Sequence, residues 1–107
     1  METPIAELTL KAVPADGEPF EVTVSVCSPY LDNSSGLWRC AARIEPLHSK
    51  WGHIAGADSF QALCLALQFL RVLMTEFEAQ GGRLVHVEDG GRFPLEAYIH
   101  GPSPLEG

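Results

Sequence analysis

Apolar and polar positions alternate along the first half of the chain, and a period of two is the signature of a strand. In AELTLKAV, Leu8, Leu10 and Ala12 fall on one side and Glu7, Thr9 and Lys11 on the other. PADGEP follows, and its Asp16-Gly17 pair is the strongest hairpin signal in the chain. FEVTVSVC alternates again, with Phe20, Val22, Val24 and Val26 inward and Glu21, Thr23, Ser25 and Cys27 outward. Beyond the polar loop SPYLDNSSG, LWRCAARIE sets Trp38, Cys40, Ala42 and Ile44 against Arg39, Arg43 and Glu45. WGHIAGA reads as a fourth, shorter strand weakened by its glycines. One polar face persists through the first three strands, which predicts an antiparallel sheet with one wet side and one covered side.

The period changes at Asp58. Asp58 stands where an N-cap belongs and Gln61 lies three residues on, a capping-box spacing. Gly81-Gly82 supplies the stop. The 22 or so residues between them make about 33 Å of helix at 1.5 Å per residue, enough to cross a four-stranded sheet. At 100° per residue the stripe Phe60, Leu63, Leu67, Leu70, Met74 and Phe77 is predicted to lie on the sheet. Gln61, Gln68, Arg71, Thr75 and Glu78 form a narrow polar stripe. The flank between carries Ala62, Leu65, Phe69, Val72 and Leu73, which a one-layer sheet does not require to be apolar. Two covers fit that flank: residues 83–100 of the same chain, or another protein surface.

The expected architecture is therefore a single α+β domain, residues 1–107. Antiparallel strands in a meander fill about 1–57, and one long helix, 58–80, packs across one sheet face. A short β or irregular segment follows at 83–100, with RLVHVE as a strand beside the sheet, EDGGRFP as a turn and LEAYIH as strand or helix. GPSPLEG, 101–107, is a tail.

Charge narrows the function classes. Fourteen acids against seven bases give a net charge of −7, which speaks against phosphate-backbone binding and so against a nucleic-acid partner. METPIAELTL has neither a basic n-region nor an apolar h-region, and no unbroken apolar run approaches membrane-span length. The reading is a cytoplasmic protein with no membrane partner. Its cysteines, Cys27, Cys40 and Cys64, are then reduced, and their odd number fits no disulfide framework.

Candidate chemistry is sparse. His48 and His53, five apart on a strand, fall on opposite faces and do not converge on one metal. Cys40 and Cys64 lie on the predicted core faces, while Cys27 points outward with no partner in sequence. Asp58-Ser59 reads as a cap rather than a nucleophile. Glu88-Asp89 reads as a solvated turn, and Arg39 and Arg43 as cross-strand partners of Glu45 and Glu21. No catalytic residue, metal ligand or cofactor is assigned.

WRCAARIEP, IAGADSFQALCLALQFL and the later GGRFP resemble a family of small bacterial proteins known only as a domain of unknown function. Its shared features correspond here to Trp38 and Cys40, to Gly56 through Leu63, and to Arg92-Phe93-Pro94, over roughly the last two-thirds of the chain. The resemblance implies a fold and no reaction. The leading functional reading is a non-catalytic interaction domain, a homodimer or a binder of a protein partner. It acts through Leu65, Phe69, Val72 and Leu73, and one version neutralises a basic partner as an immunity protein does. The alternative is a small-molecule-binding or catalytic pocket at the sheet–helix edge, built from Arg39, Trp51, His53 and Asp58.

Overall fold

The computed structural model describes residues 2–99. Its elements run β1 (Pro4–Val13), β2 (Phe20–Cys27), β3 (Tyr30–Asp32), β4 (Leu37–Glu45), β5 (His48–Gly56), α1 (Ser59–Ala79), β6 (Arg83–His86) and α2 (Leu95–Tyr98). The protein is α+β: an open antiparallel sheet, one long helix packed on it and a short C-terminal helix. β4 lies centrally, with β5 along one edge and β2, then β3, along the other. β1 pairs with β2, and β6 closes the far end of the sheet against β1.

The register keeps like with like. Leu8 faces Val24, Leu10 faces Val22, and Val24 and Val26 face Ile44 and Ala42 on the covered side. Thr9 faces Thr23, Lys11 faces Glu21, and Ser25 faces both Glu7 and Arg43 on the open side. A one-residue slip in any strand would exchange the two faces, so the apolar set itself fixes the pairing.

β3 and β4 are joined by a turn built on Asp32. Its carboxylate accepts from the Ser34 amide and from the Ser34 and Ser35 hydroxyls at 2.7–3.1 Å. Gly36 closes the turn at φ +76°, donating to the Asp32 carbonyl at 2.8 Å. Arg39 adds a charged contact to Asp32 at 2.8 Å, where the sequence pointed to Glu45 or Glu21. The Arg39 guanidinium first, then the two hydroxyls, hold the Asp32 carboxyl well below the usual carboxylate range.

Because this pKa is depressed in the fold, its stabilisation is complete above the ordinary carboxylate range. It is lost as pH falls through that range toward the folded value. Asp32→Asn is therefore expected to flatten the acid limb of stability. The check is the urea midpoint of both proteins near pH 6 and near pH 3, either side of an ordinary Asp pKa of about 4. An equal fall in both would refute it.

α1 begins as the sequence indicates, with Asp58 Oδ1 accepting from the Gln61 amide at 2.8 Å. The Gln61 side chain reaches the Ala57 amide, one residue before the cap. At the other end Gly82 donates to the Phe77 carbonyl and Gly81 to that of Glu78, the paired bonds of a Schellman stop.

The face it buries is not the predicted one. Ala62, Ala66, Leu70 and Met74 form the buried stripe, flanked by half-buried Leu63, Leu67, Phe69, Leu73 and Phe77. The helix is thus rotated by about 50° from the predicted stripe, at 100° per residue. The cause is closeness of approach: two alanines and the strand glycines Gly52 and Gly56 let the helix backbone settle on β5. Phe60 consequently stands in solvent at 75% exposure, and Cys64 is exposed rather than in the core. By length and composition α1 reaches the hydropathy of a membrane span, though its inner stripe packs on the sheet.

The helix leaves part of the core to the C-terminal segment. Residues 83–93 fold as a small hairpin in which Phe93 N–H donates to the Leu84 carbonyl at 2.9 Å. Phe93 and Leu95 are both buried. Residues 101–107, read as a tail, lie outside the described residues, as does His100.

Candidate functional site

Two surfaces carry the residues singled out in the sequence. The first is the outer flank of α1. Phe69 and Leu73 turn down toward the sheet: the Phe69 ring lies over Gly52 and meets His48 edge-on, with centroids 5.3 Å apart. Leu65 and Val72 remain outside, 41% and 54% exposed. β6 pairs with β1 at the far end of the sheet, and residues 83–99 leave these two exposed.

The second surface is the open face of the sheet. Arg39, Trp51 and His53 share it, whereas Asp58 is spent on the cap of α1, which packs against the opposite face. The four residues of the edge pocket are therefore divided between two layers. Arg43 lies over the Trp51 ring, 4.3 Å from its centroid, and contacts Glu45 at 3.4 Å. His48 takes the other face, its Nδ1 3.0 Å from the Lys50 carbonyl oxygen.

His53 is the hub of a group that the sequence reading did not assemble. Its Nδ1 is 3.0 Å from the Tyr30 hydroxyl and its Nε2 is 3.4 Å from Glu2. Beside it a cleft of about 480 Å³ is lined by Glu2, Thr3, Cys27, Ser28, Tyr30 and Ala41. Small side chains at the middle of the sheet make the hollow: Ser25, Cys27 and Ala41 are nearly inaccessible although they lie on the nominally wet face. Glu7 borders them, accepting from the Ser25 hydroxyl at 3.0 Å.

Burial pushes the Cys27 thiol up, and Glu2 and Glu7 add to the shift against Arg43. That disfavours the thiolate a cysteine nucleophile requires. Among the described residues no group of three or more His, Cys, Asp or Glu could hold a metal ion. The missing signal was register. Tyr30 faces Arg39 only because the β2–β3 line shifts by one residue along β4, a step that alternation cannot show.

No curated protein and no solved structure matches the chain. Residues 6–97 match the domain of unknown function DUF6968, and the chain belongs to that family.

Proposed function

We propose that the protein is a non-catalytic interaction domain that homodimerises through the outer flank of α1. The supporting observation is the exposure of Leu65 and Val72, seven residues apart on one helical stripe. About half of each side chain stands in water, so each forgoes roughly 0.7–1.5 kcal/mol, half the usual value for complete burial of a large aliphatic side chain. Phe69 and Leu73 lie half-buried beneath them. Exposed Gln61, Thr75 and Glu76 border the pair, giving the apolar centre and polar rim of a protein interface. A second reading, neutralisation of a basic partner protein, draws on the net charge of −7.

The experiment is sedimentation equilibrium of the wild type and of a Leu65→Asp, Val72→Asp double variant. Both side chains are exposed, so the variant should keep its helix content and urea midpoint. The expected result is a dimer that becomes a folded monomer. A wild type that is monomeric throughout, with an equally stable monomeric variant, would reject the proposal.

A further inference from the structure

On the face opposite α1, we infer that the cleft beside His53 binds an organic cation, an ammonium or guanidinium group carried on an apolar stem. Its size of about 480 Å³ falls within the range of small-ligand pockets. Its floor is Cys27 and Ala41, 4% and 1% exposed, and Tyr30 supplies an aromatic wall. Such a floor suits an apolar stem, and the ring a cation.

The sign of the charge follows from the ionisable groups of the described residues on this face. Of the open-face acids, Asp32 pairs with Arg39 and Glu45 with Arg43, and Glu21 stands opposite Lys11 in the register. Glu2 and Glu7 have no such partner among the described residues. Glu2 has His53 at 3.4 Å, and Glu7 has the neutral Ser25 hydroxyl at 3.0 Å. The remaining facing groups are the Tyr30 hydroxyl, held by His53, and the Cys27 thiol. Arg43 points its charge at Glu45 and the Trp51 ring. The cleft thus carries the Glu2 carboxylate in its lining, with Glu7 held nearby on Ser25, and among the described residues neither forms an ion pair with a Lys or Arg.

A second observation is independent of those acids. The Cys27 thiol is more than nine-tenths buried and lines the cleft, and among the described residues it makes no hydrogen bond. It presents a polar, polarisable atom to a ligand rather than to the protein. Burial first, and then Glu2 ahead of the opposing Arg43, pushes the pKa of that sulfur up. The same field repels carboxylates and phosphates and draws in a cation. A neutral apolar ligand would desolvate Glu2 with no return.

The cation can reach the cleft as a free amine or as a Lys or Arg side chain of a partner protein, and two probes separate these. Amide resonances of the intact chain are followed by NMR during titration with agmatine and, separately, with acetyl-Gly-Arg-Gly-amide. The expected result is saturable shifts at Thr3, Cys27, Ala41 and His53. Agmatine alone indicates a free amine, and the peptide alone or more tightly indicates a protein side chain. In Glu2→Gln, Glu7→Gln, whose amides retain the hydrogen-bonding shape, affinity should fall about tenfold or more, the scale of a lost charge-assisted contact.

Shifts that stay linear for both probes would overturn the inference. So would affinity unchanged in the double variant, or equal binding of glutarate, an anion of similar length. The dimer surface lies on the other layer, so neither outcome bears on it.

Discussion

Gly56→Ala is expected to destabilise the protein by about 3 kcal/mol, the upper end of the cost of overpacking a close-fitting core. The φ angle at Gly56 is not in the left-handed region, so backbone strain is not the reason. On its own a Gly→Ala change at a compatible position gains about 0.4–1 kcal/mol by stiffening the unfolded chain. Here the added Cβ would lie 2.5 Å from Ala62 N and 2.8 Å from Ala62 Cα. Both are backbone atoms of the first helical turn, and no rotamer change moves them. Ala62 N–H also makes the first intrahelical bond, to the Asp58 carbonyl at 3.0 Å. Relief of the clash therefore disturbs the cap as well as the contact with β5. Gly52→Ala is the control: its Cβ is tight only against the Phe69 ring, at 3.0 Å, with the Ala42 carbonyl oxygen at an ordinary 3.6 Å, and a side chain can turn. Urea unfolding of the two variants checks the ranking. A Gly56→Ala midpoint at or above that of the wild type would refute it.

Phe93→Ala is expected to cost about 3–5 kcal/mol, the usual penalty for emptying a fully buried phenylalanine site. Phe93 is 1% exposed and belongs to the main core. Its ring meets His86 and Tyr98 with centroids 5.8 Å and 4.5 Å apart. It fills the part of the covered face that α1 does not reach, near Leu8, Val24 and Val26. Its loss opens that region to water and weakens the hold of β6 on β1. With total stability of such domains near 5–15 kcal/mol, the variant should be partly unfolded at 37 °C. Tyr98→Ala removes a ring that is 58% exposed and should cost no more than about 1 kcal/mol. Thermal melts followed by circular dichroism distinguish the two. Equal costs would mean that the C-terminal segment packs as a surface strap and not as part of the core.

These expectations bear on function through geometry. Gly56 and the alanines of α1 set how closely the helix lies on β5. That depth decides that Phe69 and Leu73 are inside while Leu65 and Val72 are outside. The open face is decided separately, by small residues of β2 and β4. One surface is an apolar flank and the other a hollow with an apolar floor and a carboxylate in its lining, and a variant of one should leave the other intact.

Much of this was legible in the sequence, because period is a property of the chain. Alternation in β1, β2 and β4 placed every core valine and leucine on the correct side. Asp58 and Gly81-Gly82 bounded α1, since caps are local chemistry. What the tertiary structure decided was which alternative among nearly equal local ones would be used. An apolar helix offers several faces to a sheet, and side-chain size favoured the stripe containing Phe60. Close approach on Ala62 and Ala66 prevailed and put Phe60 in water.

The open-face site could not be read in advance for a related reason. Glu2, Cys27, Tyr30 and His53 come from the residues before β1, the end of β2, the start of β3 and the interior of β5, and only register brings them together. Asp58, Trp51 and His53, close in sequence, are separated into two layers by the thickness of the sheet itself. Sequence determined the elements and their wet and dry sides, because those follow from each residue and its near neighbours. Juxtaposition across strands depends on bulges and packing depth, which are settled only when the whole domain closes.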